Sequence, residues 1–325
     1  MTLYLINMNN YSTDNENFQK FCSELSIVVT GPVHFKKDSK VPVSRLTERL
    51  LLQIKDEVPK VPIVLSTWNQ PKFQENIKDL EIILSEDPGP QILGTHRSNL
   101  NRQIISSRNA LAAIQTQYVL RIRTDFYFND FNQTLSQFSK KIYNAKLSDL
   151  KLGVLDYSKL LFWQPYYICD FLQIGSIESV KKYWQAPLQS FEEFSTGHQE
   201  SCIHGFESCS LGIYPERFAP EQYLGLHYIF GEDFEYPMKS RCQSSLVDFH
   251  QSFKDFNAKF QAFPIRSNSF GGRFLEISKK EGVIRTNLTR LTRTFHPIVS
   301  TFILAISKYI KLLLKEVAYL NSKFS

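Results

Sequence analysis

An acidic residue directly after an apolar, β-branched stretch is the clearest chemical feature of this sequence. Asp125 follows Arg123 and Thr124, at the end of the stretch 118–122. A carboxylate in this place has the chemistry to hold Mg²⁺ or Mn²⁺ between two phosphates, or to accept a hydrogen bond from a ribose hydroxyl. The alternative is a strand-end aspartate that only caps the following turn. Arg123 lies on the same strand face as Asp125, and either pairs with it or reaches the same phosphates.

Two further arginines offer guanidinium groups that match phosphate oxygens bidentately. Arg102 and Arg108 stand in a segment with helical spacing, residues 99–115. Arg102 is the stronger of these two candidates. Solvated arginines on a helix face are the alternative interpretation of both.

Candidates for a general base, which takes a proton from an attacking hydroxyl, come later in the chain. Asp170 lies in an apolar stretch, where a carboxylate needs a partner or a shifted pKa. Glu221 follows Pro220 at the start of a predicted helix, and complementing the helix dipole is its other explanation. The sequence ranks Asp170 and Glu221 equally; Glu232 and Asp233 are weaker candidates.

Other familiar site chemistries find no support in the sequence. His198, Cys202, His204 and Cys209 have no standard zinc spacing, and loop or structural roles explain them better. There is no Gly-x-x-x-x-Gly-Lys phosphate loop and no Gly-x-Ser-x-Gly elbow. No nucleic-acid-binding motif occurs either.

The candidate residues fall at the ends of elements in a βαβ series. Strands are predicted at 26–30, 61–68, 80–85, 118–122 and 152–156, and helices at 45–58, 99–115, 135–145, 177–184 and 220–230. This order predicts an α/β fold with a mostly parallel sheet flanked by helices. Ligands bind at the carboxyl ends of such strands, which is where Gly31 and then Ser66, Thr67 and Trp68 stand, although Trp68 fits a core position equally well.

Composition favours a well-packed enzyme-sized chain of 325 residues with 42% hydrophobic and 22% charged residues. Five scattered cysteines without a C-x-x-C pair indicate a reducing, cytoplasmic compartment. We expect neither a signal peptide nor a membrane span, because the start lacks a basic region and no run approaches ~20 apolar residues.

The net charge of +6 resides in the carboxyl-terminal segment. Residues 279–325 carry nine Lys or Arg against two Glu, a balance of +7, which leaves −1 for residues 1–278. Apolar residues recur every three or four positions from Val299 to Leu320, with Lys308, Lys311 and Lys315 on the other face. We predict an amphipathic helix that either lies on an anionic membrane surface or packs on the body.

Several short motifs, in this order, resemble those of the WavE lipopolysaccharide-synthesis family. The resemblance spans roughly residues 26–235 and rests on the motifs at 29–33, 65–68, 85–89, 99–106, 118–125, 170–175 and 220–223. It implies a GT-A-like nucleotide-sugar transferase fold in a bacterial protein of surface-polysaccharide assembly. The usual GT-A pattern has Asp-x-Asp after the strand, whereas here Asp125 is followed by Phe126 and Tyr127 and the next acid is Asp130.

The resemblance assigns roles to the candidate residues. It implies donor contacts by Thr30 and Gly31 at the first strand's end. The other predicted donor-site residues are Ser66, Thr67, Arg102, Arg123 and Asp125, with Asp125 also the predicted ligand of an Mg²⁺ or Mn²⁺ ion. Asp170 and Glu221 are the predicted catalytic residues.

Our leading hypothesis is a cytoplasmic glycosyltransferase, peripheral at the inner membrane, acting on a lipopolysaccharide or capsular acceptor. Two alternatives stay open: a sugar- or polyol-phosphate transferase on the same fold, and a non-catalytic nucleotide-sugar-binding scaffold of an assembly complex. The predicted division is an amino-terminal extension at 1–25, a transferase domain at 26–278 and a basic helical tail at 279–325.

Overall fold

A computed structural model describes most of the predicted transferase domain. The described residues are 16–33, 43–71, 73, 77–93, 96–128, 130–143, 150–156, 165–195, 218–231, 246–264 and 270–272. Glu232, Asp233, the four histidines and cysteines at 198–209, and the basic tail lie outside them. Among the described helices, none is long and apolar enough to cross a membrane.

Eleven strands and six helices have defined bounds among the described residues, and residues 16–23 and 191–195 are helical as well. The strands are β1 (Leu25–Thr30), β2 (Ile63–Thr67), β3 (Leu80–Leu84), β4 (Gln91–Leu93), β5 (His96–Ser98), β6 (Tyr118–Arg123), β7 (Phe126–Phe128), β8 (Leu152–Asp156), β9 (Leu172–Ser176), β10 (Phe260–Pro264) and β11 (Phe270–Gly272). The helices are α1 (Val43–Glu57), α2 (Leu100–Ala112), α3 (Phe131–Tyr143), α4 (Ile177–Trp184), α5 (Pro220–Phe230) and α6 (Leu246–Lys259).

The main sheet has seven strands in the order β10-β8-β9-β6-β1-β2-β3. All neighbours are parallel except that β9 runs antiparallel to both β6 and β8. Two-stranded antiparallel sheets, β4–β5 and β7–β11, complete the described strands. The predicted α/β class with a mostly parallel sheet is confirmed.

Strand β1 lies at the centre of the core, because it has a neighbouring strand on each side and both of its faces are buried. All its residues are buried, as are those of β2, which explains the β-branched apolar runs in both segments. The chain passes from β1 outward through β2 to β3 and then returns to β6 on the other side of β1. Right-handed crossovers therefore put α1 and α2 on opposite faces of the sheet.

The reversal between β1 and β6 creates a topological switch point. Connections leave the carboxyl ends of these two adjacent parallel strands in opposite directions, and a crevice forms there. Thr30 is the register partner of Arg123, so the two strands end at the same level. The antiparallel strand β9 brings its amino end to this same edge, because Ile122 pairs with Leu172.

Candidate active site

The turn after β6 is fixed tightly against the end of β1. The Thr124 amide donates to the Thr30 carbonyl at 3.0 Å, and its hydroxyl donates to the Pro32 carbonyl at 3.0 Å. Gly31 has φ +134°, and a Cβ there would come 2.6 Å from Thr124 Oγ1. Only glycine combines this backbone conformation with so close an approach. The two strand ends are thus held in contact at the mouth of the crevice.

Arg123 and Asp125 form a bidentate ion pair just beyond this turn. Arg123 Nε donates to Asp125 Oδ1 at 2.9 Å, and Nη2 donates to Oδ2 at 2.8 Å. The ring of Phe171 covers the guanidinium at 4.6 Å and sets its plane. Of the two alternatives that the sequence allowed for Arg123, pairing with Asp125 is therefore the observed one.

The same guanidinium reaches a second carboxylate, that of Asp170. Arg123 Nη1 lies 3.2 Å from Asp170 Oδ2 and 3.4 Å from Oδ1. Asp170 is only 1% exposed, and it lies two residues before the start of β9. The antiparallel direction of β9 explains the meeting, because it puts the residues before β9 beside the carboxyl end of β6.

Arg121 lies two residues before Arg123, on the same face of β6, and is fully buried. Its Nη1 donates to the Asp170 carbonyl and, at 3.4 Å, to Gln173 Oε1, while the Trp184 ring stacks against it at 4.2 Å. Burial lowers the pKa of Arg121 to about 9, although the nearby Asp170 opposes this change. The guanidinium therefore stays protonated at neutral pH and carries a second positive charge beneath the site.

Glu221, in the first turn of α5, lies close enough to Asp170 and Arg123 to interact with both electrostatically. Burial, and after it the neighbouring Asp170 carboxylate, raise the pKa of its carboxyl to about 7, while a hydrogen bond from the Tyr167 phenol opposes the change. Burial in turn raises the pKa of Tyr167 well above its ordinary value, so that Tyr167 stays a donor. A carboxyl that titrates near neutral pH is suited to proton transfer.

Two hydrogen bonds and a close backbone contact hold α5 so that Glu221 lies beside Tyr167. The Ile168 amide donates to the Glu221 carbonyl at 3.3 Å, and Gln222 Nε2 donates to the Pro165 carbonyl at 2.9 Å. Gly225, one turn further, lets the helix backbone rest on the carbonyl of Tyr166, where any Cβ would overlap. Tyr166 itself has φ +62°, an uncommon conformation for a large residue at a sharp turn of the chain.

Unpartnered hydroxyls lie at the ends of β1 and β2. Within the described part of the chain, Thr30 Oγ1 and Thr67 Oγ1 are buried and have no hydrogen-bond partner. Thr30 stands beside Arg123 in the strand register, so its hydroxyl is available at the switch point. An unsatisfied buried hydroxyl is costly, and a bound ligand or water is the usual partner of such a group.

Ser66 and Arg102 lie on the neighbouring rim of the sheet rather than in the Arg123 cluster. Ser66 Oγ lies 3.1 Å from Ser85 Oγ and thus ties β2 to the residue after β3. Arg102 makes two 2.6 Å hydrogen bonds to Asp87 and stacks 5.5 Å from the centre of the Trp68 ring. The Arg102 guanidinium, bound by Asp87, and the Trp68 ring therefore lie along the same edge of the sheet.

Arg108 has a structural environment. Its guanidinium donates to the carbonyls of Trp184, Gln185 and Ala186, which close the end of α4. A cation satisfies the carbonyls at a helix end that have no partner in the helix. Arg108 is therefore engaged away from the crevice.

The sequence that contains this site matches the model of a known protein family. The model of the family described as WavE lipopolysaccharide synthesis matches residues 25–258, well over half of the chain. The chain belongs to the WavE family. The matched span contains the switch point, the Arg123 cluster and the start of α5. No curated protein matches the sequence.

Several solved structures are similar to this WavE-family chain in part. S. aureus TarS 1-349 is 12% identical, with 86% of this chain and 69% of TarS covered and a TM-score of 0.35. The galactosyltransferase LgtC with donor and acceptor sugar analogues is 11% identical, with 62% and 69% covered and a TM-score of 0.33. HddC from Yersinia pseudotuberculosis complexed with GMP-PN is 15% identical, with 49% and 79% covered and a TM-score of 0.31.

The predicted family and fold class are confirmed, and glycosyltransferase as the enzyme class agrees with both. Of the predicted site residues, the structure groups Thr30, Gly31, Arg123, Asp125, Asp170 and Glu221 at the switch point. Ser66, Thr67 and Arg102 follow along the adjoining rim. Their roles in the WavE-family protein stay predictions.

Sequence reasoning missed Arg121 and Tyr167. Arg121 had a usable signal, since a charged residue in the middle of an apolar strand needs a buried partner. Tyr167 had none, because its pairing with Glu221 joins segments more than fifty residues apart in the sequence.

The residues around Asp125 in this WavE-family chain are arranged poorly for a divalent metal ion. Mg²⁺ and Mn²⁺ require accessible carboxylate oxygens, and both oxygens of Asp125 accept hydrogen bonds from Arg123. Among the described residues, no three His, Cys, Asp or Glu side chains group as metal ligands. Asp125 as a metal ligand stays a sequence prediction, and we derive no step that uses a metal.

Proposed function

We propose that the protein transfers a sugar from a nucleotide-sugar donor to a lipopolysaccharide acceptor, with Glu221 as the general base. The observation that carries this proposal is the Glu221 carboxyl, whose pKa burial raises to about 7 at the sheet's ligand-binding edge. Family membership supports the lipopolysaccharide acceptor. The switch point supports a nucleotide ligand, because open α/β sheets bind ligands in that crevice.

We propose different roles for the two predicted catalytic acids because their environments differ. The Asp170 carboxylate is paired with the Arg123 guanidinium, which favours its ionised, engaged state over a role as proton acceptor. Glu221 is partly exposed and titrates near neutral pH. We assign proton transfer to Glu221, and we assign to Asp170 the positioning of Arg123 and the rise of the Glu221 pKa.

The reaction follows as a single displacement. An acceptor hydroxyl oxygen attacks the anomeric carbon of the donor sugar while its proton passes to a carboxylate oxygen of Glu221. The bond between the anomeric carbon and the diphosphate oxygen breaks, and that oxygen keeps the electron pair. Charge therefore grows on the leaving diphosphate, where positive groups at the switch point stabilise it.

Donor binding occupies the ends of β1, β2 and β6 in this proposal. The buried Thr30 hydroxyl and the Gly31 backbone contact the donor beside Arg123 and Asp125. Thr67, and the Arg102 guanidinium held against Trp68, extend the contact surface along the rim. Ser66 supports this rim through its contact with Ser85.

Transfer assays across a panel of nucleotide-sugars test the proposal. The acceptor is lipooligosaccharide isolated with its lipid, and products are measured by mass spectrometry. We expect one donor to give a product one sugar heavier, and we expect Asp125→Ala to reduce the rate at least about a hundredfold. Asp130→Ala is the matched control, because the Asp130 carboxylate only caps the start of α3.

Two results would replace this function with another. Phosphorus in the transferred group would favour a sugar- or polyol-phosphate transferase. Donor binding by calorimetry without turnover on any acceptor would favour a non-catalytic subunit. Full transfer activity in Asp125→Ala would remove Asp125 and its pair with Arg123 from the mechanism.

A further inference from the structure

The Arg123 guanidinium lies where two carboxylates converge at the switch point. Its Nε and Nη2 bind the two oxygens of Asp125 at 2.9 and 2.8 Å, and its Nη1 lies 3.2 Å from Asp170 Oδ2. The side chains of Arg123, Asp125 and Asp170 are 19%, 13% and 1% exposed. A single cation thus bridges two largely buried carboxylates, which is the task that a divalent ion performs in many phosphate sites.

In the Asp-x-Asp pattern the second aspartate also binds the metal, but no carboxylate stands at that position here. Residue 127, two after Asp125, is a tyrosine, and its ring lies under the guanidinium of Arg49 at 4.2 Å. An aromatic face attracts a cation, and a second positive charge is already present there. The second position of Asp-x-Asp therefore holds an aromatic ring under a guanidinium, which supplies no oxygen ligand for a metal.

The two arginines of β6 balance the charges of Asp125 and Asp170 without a metal. Arg121 lies beneath Arg123 and donates to the Asp170 carbonyl. Two guanidinium groups and two carboxylates sum to zero, as do two carboxylates and one divalent cation. Burial alone would lower the pKa of Arg123, but the Asp125 and Asp170 carboxylates raise it above its ordinary value, so the charge is permanent.

Arg123 keeps the capacity to bind an oxyanion. A guanidinium has five N–H groups, and Nη2 uses one of its two toward Asp125 among the contacts of the described residues. The side chain retains 19% exposure. The unpartnered Thr30 hydroxyl stands beside it in the strand register and offers a second donor.

We propose that Arg123, backed by Arg121, is the built-in counter-cation for the donor's diphosphate, in the place of a divalent metal. Donor binding and transfer therefore require no metal ion. This inference rests on the proposed function for its ligand, a nucleoside diphosphate. Its structural part, that Arg123 fills a cation position between Asp125 and Asp170, does not depend on which donor binds.

Calorimetry of nucleoside diphosphate binding tests the functional part. Each nucleotide of a panel is titrated into the wild-type protein in EDTA and, separately, in Mn²⁺. We expect the dissociation constants in the two buffers to agree within about twofold. Weakening of about tenfold or more in EDTA, equal to about 1.4 kcal/mol, would overturn the proposal. If no nucleotide binds in either buffer, the proposed function fails, and the next experiment decides the cation position alone.

Thermal unfolding with and without Mn²⁺ tests the structural part. In Arg123→Met, two carboxylates lose their cation, so we expect a lower Tm that Mn²⁺ partly restores. The wild type and the charge-preserving Arg123→Lys should show no change in Tm with Mn²⁺. Arg108→Met is the matched control, because it removes an arginine that binds carbonyls rather than carboxylates, and we expect no response to Mn²⁺.

Two outcomes of the unfolding experiment contradict the inference. One is a wild-type Tm that Mn²⁺ raises as much as that of Arg123→Met. The other is a folded Arg123→Met that Mn²⁺ does not stabilise. If Arg123→Met does not fold, the wild type and Arg123→Lys still decide, because Mn²⁺ stabilisation of either would contradict a guanidinium in the cation position.

Discussion

At the scale of single residues, the site shows how surroundings separate two similar acids. Asp170 and Glu221 were equal candidates by sequence, since each is a carboxylate that could also have a purely structural role. In the fold, Asp170 is enclosed by two arginines, whereas the pKa of Glu221 is raised to about 7 by burial and by Asp170 itself. This separation depends on contacts between distant segments, so no local pattern could reveal it.

Glu221→Gln should lower kcat by about 10²–10⁴-fold while donor affinity changes little. The amide keeps the shape of the carboxyl but cannot accept the acceptor's proton. In the wild type, kcat should rise with pH through about 7, as Glu221 ionises. Steady-state rates from pH 5.5 to 8.5, measured beside calorimetric donor affinity, check both effects; a variant that retains wild-type kcat would exclude Glu221 as the base.

The same carboxyl should make stability depend on pH. The folded-state pKa of Glu221 is raised from an ordinary 4.5 to about 7, so the folded protein binds its proton more tightly than the unfolded chain. Its contribution to the free energy of unfolding therefore falls as pH rises from about 4.5 to 7. Urea unfolding should show a weaker decline in Glu221→Gln than in the wild type, and an equal decline would contradict the shift.

Residue-level prediction from sequence succeeded where spacing alone decides. Arg123 and Asp125 were expected on one face at the end of β6, and they form a bidentate pair there. Arg102 was expected among phosphate ligands, which stays a prediction, and the contact that the fold adds is its ion pair with Asp87 on the neighbouring rim. The ion-pair partner of an arginine is set by tertiary contacts, which the spacing of one helix does not contain.

At the scale of elements, the approach of β1 to the turn after β6 shapes the crevice. Gly31→Ala adds a Cβ 2.6 Å from Thr124 Oγ1 at a positive φ. We expect a loss of roughly 1–3 kcal/mol in the free energy of unfolding, together with weaker donor binding. Gly89→Ala is the matched control, because Gly89 also has positive φ but nothing within 4 Å of its added Cβ. Equal losses of donor affinity in the two variants would contradict this role of Gly31.

The close packing of α5 at Gly225 gives a second prediction at the scale of elements. Gly225→Ala places a Cβ against the Tyr166 carbonyl and 2.7 Å from Ile168 Cγ1, so α5 must shift. We expect a cost of about 1–3 kcal/mol and a fall in kcat of up to about 10²-fold, because Glu221 moves with the helix. Gly231→Ala, at the open end of α5, is the comparison. Unchanged kcat in a folded Gly225→Ala protein would show that the position of α5 does not matter.

The first half of the fold was predictable from periodicity, and the second half was only partly so. β1, α1, β2, β3, α2 and β6 lie close to their predicted positions, because each has a clear apolar period and a turn signal. Strand β9 was hidden in an apolar run without periodicity, and its antiparallel direction depends on long-range pairing. That strand brings Asp170 to the site, so the missed element and the unresolved choice of base have one cause.

At the scale of the whole molecule, the sequence divides by charge into a nearly neutral body and a basic carboxyl-terminal segment. The body carries the WavE match and the candidate site, whereas residues 279–325 lie outside the described residues. The predicted membrane association of that segment stays a prediction. It suits a lipid-linked acceptor, since binding at the membrane surface would bring the site close to its substrate.

Reversing the three lysines 308, 311 and 315 to glutamate in the full chain should release the protein from anionic vesicles. Each lysine near an anionic surface contributes about 1 kcal/mol, so we expect at least about a hundredfold weaker binding in co-sedimentation. Reversal of three exposed lysines of the body, Lys20, Lys60 and Lys254, is the control. Equal losses in both variants would indicate general charge attraction rather than a role of the segment.

Sugar transfer with Glu221 as the base can be checked by a paired measurement of product and released nucleotide. The purified protein, one nucleotide-sugar and lipooligosaccharide are incubated, and glycan mass and free nucleoside diphosphate are quantified together. We expect one diphosphate released per sugar added in the wild type, and loss of both products in Glu221→Gln with donor binding retained. Equal product yields from Glu221→Gln and the wild type, or a glycan that never gains a sugar from any donor, would contradict it.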